Sequence, residues 1–259
     1  MKIFGIGMHP DDVEFIMAGT LALLKKGKHK IVIGTVGSGD MGSVEYVPAD
    51  LSKKRYAEAE ASAKLLEAEY ISCGISCLHV VFDNPTRFMV TEMIRKIDPD
   101  IIITMSPQDY MKDHELTADL VWDGCFNAPI PNYHTGLVNP AKATSKIPYL
   151  YYGDPLDLTD RFGNSIEPEF YVDIKDVMET KTNMLKKHES QRSWLKRQHG
   201  MDKYTETMKE LSHRRGNEIG VKYAEGFRQH KGHTFPHDNI LEKLLKNKVK
   251  YKNNKNKEE

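Results

Sequence analysis

The chain has 259 residues, and its 37 lysines and arginines are balanced by 37 aspartates and glutamates. A net charge of zero argues against a nucleic-acid-binding protein, which more often carries a basic excess. The three cysteines form no disulfide framework, and neither a signal peptide nor an apolar stretch long enough to span a membrane is visible. We therefore expect a cytoplasmic protein with no membrane span and one sizeable core.

The first half of the sequence alternates between two kinds of hydrophobic pattern. The predicted elements are strand 2–8, helix 12–26, strand 30–36, helix 49–68, strand 78–84 ("LHVVFDN"), helix 86–97 and strand 100–105. Such alternation is typical of βαβ units. We therefore predict an α/β fold with a mostly parallel sheet, helices on both faces and an elaborated C-terminal part.

The second half is less regular. A Pro/Gly-rich loop at 127–146 is too long for a simple connection, so we expect a lid or a wall of a binding site. Further strands are predicted at 147–153 and 169–174, and charged helices at 174–197 and 203–228. Residues 1–245 are expected to form a single domain, followed by a flexible basic tail at 246–259.

Polar residues follow three of the predicted strands where each strand ends. The first strand runs into "HPDD" (9–12), the second into the glycine-rich "GSGDMG" (37–42), and the fourth into "SPQDYMKDHE", which contains Asp109 and His114. The carboxyl ends of parallel strands lie at one edge of an open sheet, where ligands bind. We therefore predict that these segments meet in one site.

The first and last of these segments contain candidate ligands for a catalytic metal ion. His9, Asp12 and His114 would supply two imidazole nitrogens and one carboxylate oxygen, a normal zinc shell with the fourth position left to water. Asp11 is adjacent to Asp12, so on a helix the two side chains diverge by about 100°. One carboxylate would bind the ion while the other acts as a general base. The alternative is that both only cap a helix and His9 is a core residue.

The glycine loop and the helix after it each have two interpretations. "GSGDMG" matches the G-x-G-x-x-G pattern of dinucleotide-binding loops, but it follows the second strand, and "SVEYVPAD" separates it from the next helix. A backbone loop beside the substrate is the better interpretation. On that helix, Arg55 either forms an exposed ion pair with Glu58 or contacts a hydroxyl-rich or anionic substrate.

Polar residues of the second half give weaker signals. His188, Ser190 and Gln191 in "KKHESQRSWL" would lie near the mouth of a site or, as we expect, on a solvated helix face. The segment "QHKGHTFPH" (229–237) contains three histidines whose spacing fits no standard metal-binding pattern well. A second metal site there stays open.

"HPDDVE" and "DYMKDH" together resemble the two motifs of the PIG-L/LmbE family of zinc-dependent N-deacetylases. The first is similar to the family pattern HPDD-x-E through Glu14, and the second to its H-x-D-H segment at Asp113 and His114. "TVGSGDMG", "RYAEAEASAKLL" and "GVKYAEGFR" are also similar to the family, so the resemblance spans roughly residues 2–228. It implies a Rossmann-like fold and removal of the N-acetyl group from an N-acetylglucosamine-type sugar or glycoside.

The resemblance also implies a role for individual residues. His9, Asp12 and His114 would bind Zn²⁺, although such a shell accepts other divalent metals. Asp11 would be the catalytic general base, and Arg55 would contact the substrate.

One position departs from the family pattern. Many relatives have a histidine three residues before the last ligand, where this chain has Met111. A thioether can neither donate a proton nor carry a charge at neutral pH. Either Asp11 serves as both base and acid, or another group takes the histidine's place, for which His134, Tyr110 and His188 are candidates.

The sequence thus predicts a zinc-dependent N-deacetylase whose partner is a small N-acetylated sugar or glycoside. The residues that select the substrate are expected on the loop at 127–146 and in the C-terminal third. Members of the family often form trimers or hexamers, so a homo-oligomer is open. Two other classes remain as alternatives: a nucleotide-binding oxidoreductase that uses the glycine loop, and a non-catalytic sugar-binding protein on the same fold.

Overall fold

A computed structural model gives the fold and describes residues 1–199 and 203–252. Its strands are β1 (Lys2–Gly7), β2 (Lys30–Gly37), β3 (Glu69–Ile75), β4 (Ile101–Thr104), β5 (Tyr149–Gly153), β6 (Phe170–Asp173), β7 (Ala224–Gln229) and β8 (Val249–Lys250). Its α-helices are α1 (Asp12–Ile16), α2 (Ala18–Lys26), α3 (Pro48–Ala63), α4 (Asn84–Ile97), α5 (Lys112–Asn127), α6 (Met178–Leu185), α7 (Glu189–His199), α8 (Tyr204–Glu218) and α9 (Ile240–Leu245).

Within the described residues, all strands belong to one sheet in the order β3-β2-β1-β4-β5-β7-β6-β8. The strands from β3 to β5 pair in parallel, and β7, β6 and β8 add antiparallel pairs at one side. The predicted α/β, Rossmann-like, mostly parallel sheet is therefore confirmed. Because β1, β2 and β4 are parallel neighbours, their carboxyl ends lie at one edge of the sheet.

The sheet is buried on both faces, and its central strands β1, β2 and β4 are mostly apolar. Successive residues of β1 point to opposite faces. Ile3 belongs to the core layer that contains Leu21 of α2, and Phe4 to the layer that contains Val90 of α4. Both strand residues are fully buried. Such continuous apolar runs are typical of parallel sheets covered by helices.

The helix predicted over 12–26 is divided in two at Met17, whose backbone (φ −141°, ψ 0°) is not helical. A buried carboxylate stabilises the new start: Glu225 accepts hydrogen bonds from the backbone N–H groups of Gly19 at 2.8 Å and Thr20 at 2.7 Å. These amides lack partners inside the helix, so a distant strand residue decides where α2 begins.

Two predicted elements were wrong. The third strand is Glu69–Ile75. The segment 78–84 leads into α4 and pairs with none of the described strands, and its apolar Val81 and Phe82 are 51% and 45% exposed. The helix predicted to extend to residue 228 ends at Glu218. Gly220 then adopts φ +72°, a left-handed conformation that terminates the helix, and the next residues form strand β7.

The long loop at 127–146 is held against α4 by two side chains of that helix. Glu92 accepts hydrogen bonds from Thr135 Oγ1 and Ala141 N, both at 2.7 Å. Arg95 donates to the carbonyl oxygens of Ala128 and Ile130, at 3.0 and 2.8 Å. The loop is therefore fixed against α4.

The first residues of the segment expected to be a tail, from 246, have regular structure. Val249 and Lys250 form β8, which pairs with β6, and the Val249 side chain is 8% exposed because it packs into the core. Residues 253–259 of the expected tail lie outside the described residues. Among the described residues, no helix combines the length and the apolar composition needed to cross a membrane.

Candidate active site

The end of β1 places three polar side chains at the edge of the sheet. After Gly7 the chain turns at once, and the N–H groups of Asp11 and Asp12 both donate to His9 O, at 2.8 and 3.2 Å. Asp12 Oδ2 in turn accepts from Met8 N at 3.0 Å and His9 N at 2.6 Å. A Cβ atom on Gly7 would lie 2.8 Å from Asp12 Cβ, so this close turn requires glycine.

His114, in the first turn of α5, meets the end of β1. Its Nε2 lies 3.2 Å from His9 Nδ1 and 3.6 Å from Asp12 Oδ1, and His9 Nδ1 lies 3.4 Å from Asp12 Oδ2. Within residues 1–199 and 203–252, these three residues form the one group arranged to hold a metal ion. One ligand atom from each of the three residues lies within 4.8 Å of the other two, so together they could hold a metal ion.

Acidic residues lie behind both imidazoles. Asp109 Oδ1 is 3.0 Å from His114 Nδ1, where it can accept the ring proton and leave the lone pair of Nε2 facing the cluster. Asp113 Oδ2 lies 3.9 Å from His9 Nε2, on the side of the ring away from the cluster. Carboxylates in these positions orient metal-binding histidines and raise their basicity.

The charges of the cluster favour a cation. Burial alone would raise the pKa of Asp12, but His114 and His9 lower it to about 2. Burial alone would lower the pKa of each imidazole, yet the Asp12 carboxylate raises the pKa of both above the usual value. The site therefore attracts positive charge, whether as protons or as a metal ion.

Asp11 lies beside the cluster but is not part of it. Burial and the nearby charge of Asp12 raise the pKa of its carboxyl. Tyr204, the first residue of α8, donates a hydrogen bond to Asp11 Oδ2 at 2.5 Å and packs edge-on against Phe15. The Asp11 carboxylate is thus next to the cluster of His9, Asp12 and His114 and is held in place by a residue of a distant helix.

Arg55 of α3 does not form the exposed ion pair that its spacing allows. Its side chain is buried, and Nη2 donates to Gly42 O at 3.2 Å and to Gln191 Oε1. Glu58 instead accepts from Ser190 N at 3.0 Å and Ser190 Oγ at 2.6 Å. The start of α7 therefore lies on α3 and does not form a solvated face, as the sequence had led us to expect.

His188 is also buried, with 1% of its surface exposed, and its Nε2 lies 3.2 Å from Glu14 Oε1. Burial alone would lower the pKa of His188, but Glu14 raises it above the usual value. Ser62 Oγ donates to the same Glu14 oxygen at 2.5 Å. The last residue of the HPDD-x-E motif thus holds the segment before α7 in place.

The cluster, Asp11 and Arg55 line one cavity of about 460 Å³. Much of its wall is apolar: Phe15, Met41, Leu78, Met111, Leu156, Trp194 and Leu195. Among the candidate acids, Tyr110 lines the cavity, whereas His134 and His188 do not. The loop at 127–146 contributes no lining residue, so it does not form a wall of this cavity. Selection of the substrate by this loop stays a prediction.

The glycine loop also lies at the cavity, where Gly39 and Gly42 adopt φ +73° and +78°. A Cβ atom on Gly39 would lie 2.8 Å from Arg55 Cδ, so glycine permits the arginine to pack under the loop. Helix α3 begins only at Pro48. The loop does not open a helix directly, as a dinucleotide-binding loop does.

The late histidines do not form a second metal site. His230 accepts or donates a hydrogen bond with Tyr152 at 3.1 Å and packs against the ring of Phe235, with centroids 4.3 Å apart. The group formed by His9, Asp12 and His114 is the sole one in the part of the chain that the structure describes that could hold a metal ion.

Sequence reasoning missed Tyr204, Trp194 and Leu195, all from α7 and α8. The one signal in that region was the polar run at 188–191, whose residues contact Glu14, Glu58 and the side chain of Arg55. Tyr204 carried no signal, because nothing in its spacing connects it with Asp11, 193 positions earlier.

Comparison with known proteins shows what this chain is similar to. Residues 5–125 match the family described as PIG-L: GlcNAc-PI de-N-acetylase. The chain is 24% identical to the diacetylchitobiose deacetylase of Thermococcus kodakarensis over 235 residues, which cover 88% of this chain and 82% of the relative. The predicted resemblance to the PIG-L/LmbE family is confirmed.

Two solved structures share the fold. The N,N'-diacetylchitobiose deacetylase of Pyrococcus horikoshii matches with a TM-score of 0.71 and 24% identity, covering 92% of this chain and 88% of its own. The 4-carboxy-2-hydroxymuconate hydratase of Pseudomonas putida KT2440 matches with a TM-score of 0.73 and 20% identity, covering 92% and 98%. Since one fold carries both activities, the activity of this chain has to be argued from its own site.

Proposed function

We propose that this PIG-L/LmbE-like protein is a zinc-dependent N-deacetylase that releases acetate from an N-acetylglucosamine-type sugar or glycoside. One observation carries the proposal: His9, Asp12 and His114 converge within a cavity, and the Asp11 carboxylate next to them is left outside the metal-binding group. Three protein ligands with a free general base beside them are typical of metal-assisted hydrolysis. The relatives that are named deacetylases support the same reaction class.

Zinc bound by these residues would polarise the acetamide carbonyl and lower the pKa of a bound water. Asp11 accepts the proton of the water that attacks the carbonyl carbon. As the C–N bond breaks, the protonated Asp11 returns that proton to the departing amine nitrogen, so acetate and a free amine leave. The hydrogen bond from Tyr204 keeps the carboxylate at the position where it can do both.

Tyr110 is the cavity residue that takes over one role of the family histidine that Met111 replaces, the stabilisation of the oxyanion. Its ring packs edge-on against His114, with centroids 5.6 Å apart. Burial and the charge of Asp12 raise the pKa of Tyr110, so its hydroxyl keeps its proton at neutral pH. It can therefore donate a hydrogen bond to the oxyanion that develops on the substrate, while Asp11 moves the proton.

The remaining proposals concern substrate and location. The apolar wall at Trp194 and Leu195 suits the carbon face of a sugar ring, and Arg55 with Gln191 suits its polar substituents. The free cysteines Cys73, Cys77 and Cys125 support a cytoplasmic location. A homo-oligomer remains a proposal from the family resemblance.

The test is an acetate-release assay with zinc-loaded protein on N-acetylglucosamine, its methyl glycosides and N,N'-diacetylchitobiose. We expect acetate and free amine in equal amounts, and no release after zinc is removed by a chelator. Binding of these sugars without acetate release would instead indicate the sugar-binding alternative. Calorimetric binding of NAD would indicate the oxidoreductase alternative, and either result would overturn the proposal.

A further inference from the structure

A second cavity, of about 440 Å³, lies at the edge of the sheet opposite to the candidate active site. Lys2, Lys30 and Glu69, the first residues of β1, β2 and β3, line it. These are the amino ends of parallel strands, and β1 extends over about 17 Å before the chain turns towards His9. Among the described residues, none lines both cavities. The second cavity is therefore separate from the candidate active site.

The second cavity is a gap between β3 and α4. In the described sheet β3 is an edge strand, with β2 as its neighbour. Cys73 Sγ of β3 lies 4.0 Å from Met93 Sδ of α4, so strand and helix meet at one side of the gap. The apolar side chains that line the gap come from the sheet, from α4 and from the long loop: Val32, Ile71, Met89, Met93, Ile97 and Leu137. Such a wall can cover the apolar part of a small molecule.

The loop at 127–146 forms one side of the second cavity through Leu137. Glu92 fixes the loop on both sides of this residue, because it accepts hydrogen bonds from Thr135 Oγ1 and Ala141 N, both at 2.7 Å. Arg95 lies 3.5 Å from the same carboxylate. Glu92 lines the cavity, but these three partners compensate its charge inside the protein.

Three lysines of the second cavity lack a partner of opposite charge. Lys2, Lys30 and Lys96 line the cavity, and none of them forms a salt bridge with a residue that the structure describes. Lys2 Nζ donates to a neutral acceptor, the carbonyl oxygen of Ile97. Lys30 and Lys96 are exposed. Their charges are therefore available to a ligand.

The charge of Lys96 acts at the apolar wall itself. Burial raises the pKa of the Cys73 thiol to about 12, and the nearby Lys96 ammonium opposes this rise. With Glu92 compensated, Glu69 is the one carboxylate of the cavity without a partner among the described residues. Three positive charges and one negative charge remain, so the cavity favours an anion.

We propose that the second cavity binds a small amphipathic anion, a linear alkyl chain of about 8 to 12 carbons that ends in a carboxylate. The chain lies against the apolar wall between β3 and α4, where its burial gives most of the affinity. The carboxylate lies at the amino edge of the sheet and accepts charge-assisted hydrogen bonds from Lys30 and Lys96. This binding site is independent of the proposed deacetylase function.

The first experiment is calorimetric titration of the wild-type protein with hexanoate, octanoate and decanoate. Burial of one methylene group lowers Kd by about fourfold, so we expect a decrease of about 10- to 16-fold for every two carbons and one site per chain. Decyltrimethylammonium has the chain of decanoate and the opposite charge, and should bind at least tenfold more weakly. A Kd independent of chain length, or equal binding of the two head groups, would overturn the inference.

The double variant Lys30→Gln, Lys96→Gln tests the contribution of charge. Both side chains are exposed and outside salt bridges in the described structure, so the fold should be retained. We expect decanoate to bind at least tenfold more weakly. The matched control is Lys53→Gln, Lys64→Gln, which removes two exposed positive charges that do not line the cavity. An equal loss in both double variants would show that decanoate responds only to net charge and would overturn the inference.

A pair of neighbouring loop residues tests the apolar wall. Leu137→Ala removes part of the wall, whereas Val138→Ala changes a side chain that is 95% exposed and does not line the cavity. We expect Leu137→Ala to weaken decanoate binding at least fivefold and Val138→Ala to leave it unchanged. Equal affinities in the two variants would overturn the placement of the chain in this cavity.

Titration of zinc-free protein separates the second cavity from the candidate active site. We expect the same Kd for decanoate with and without zinc, because the ligands of the metal ion line the other cavity. This result would support the inference even if no sugar released acetate. Binding that requires zinc would place the carboxylate on the metal ion and overturn the inference.

Discussion

The two sides of the cavity are built differently. One side, the floor, consists of His9, Asp11, Asp12 and His114 at the carboxyl edge of the sheet. The other, the roof, consists of Gln191, Trp194, Leu195 and Tyr204 on α7 and α8. The floor is shaped by main-chain hydrogen bonds: two backbone amides hold the Asp12 carboxylate, and two others close the turn onto His9 O. The roof is joined to the first half of the chain by side-chain contacts, such as those from Tyr204 to Asp11 and from Gln191 to Arg55.

Under the proposed function, this difference separates the reacting groups from the residues that would select the substrate. Reacting groups must be held to a fraction of an ångström, which the end of a buried parallel sheet can provide. Residues that recognise a substituent tolerate more variation, and helices attached by side chains can change without disturbing the metal-binding geometry. Substitutions in the floor should therefore abolish metal binding or turnover, and substitutions in the roof should change rates, pH dependence or substrate preference.

The largest effect is expected from His114→Ala. It removes a nitrogen that lies 3.2 Å from His9 Nδ1 and 3.6 Å from Asp12 Oδ1, so two ligands remain for the ion. We expect the purified variant to contain little zinc by elemental analysis and to release acetate at background rate. His213→Ala, an exposed histidine on α8, is the control and should retain both. A fully metallated His114→Ala would show that the floor is not the metal site.

Asp11→Asn should separate metal binding from turnover. The substitution keeps the size of the side chain and the hydrogen-bond partner of Tyr204 but removes the base, so we expect acetate release to fall by about 10²- to 10⁴-fold. Zinc content measured on the same sample should match the wild type, since Asp11 lies outside the metal-binding group. Near-normal kcat with full zinc content would contradict the role of Asp11.

The floor was predictable from sequence for a topological reason. Parallel strands that alternate with helices bring their carboxyl ends to one edge, so "HPDD" after β1 and His114 after β4 had to lie near each other. Their local chemistry then pointed to a metal. Asp109 was noted in the same segment, but its contact with the second nitrogen of His114 needed side-chain geometry that no spacing rule supplies.

The roof was not predictable in the same way. The segment 188–191 was predicted to lie on a solvated helix face because its helix is highly charged. The structure shows instead that His188, Ser190 and Gln191 contact Glu14, Glu58 and Arg55. The helix expected to extend through residue 228 was interrupted by Gly220 because strand β7 gains pairs on both sides, with β5 and β6. The apolar run "VVF" at 80–82 was predicted to be part of a buried strand. Two of its three residues are instead exposed, and the segment does not pair with β2, whose partner is β3.

A smaller loss of metal binding is expected from Asp109→Ala, since Asp109 contacts the ring of His114 on the side away from the cluster. The substitution removes the carboxylate 3.0 Å from His114 Nδ1, which orients the ring and raises its basicity. Loss of such a partner typically lowers metal affinity by about 10- to 100-fold. Competition with a chelator of known affinity measures the change, with Asp119→Ala, a partly exposed carboxylate on helix α5, as the control. Unchanged affinity would show that His114 is oriented by its helix alone.

The smallest loss of rate is expected in the roof, from Tyr204→Phe, and its signature is a shift with pH. Tyr204 donates a hydrogen bond to the ionised Asp11 carboxylate, which lowers the pKa of Asp11 against the raising effects of burial and of Asp12. Removing the hydroxyl therefore raises that pKa. The base works only when ionised, so the acidic limb of the kcat/KM profile should move to higher pH, with a loss of about tenfold on the plateau and no change in zinc content.

Tyr110→Phe, which is not hydrogen-bonded to Asp11, should lower the plateau and leave the limb in place. A Tyr204→Phe profile with an unmoved limb would mean that Asp11 is not the group whose ionisation controls the rate, and the division between a catalytic floor and a supporting roof would have to be redrawn.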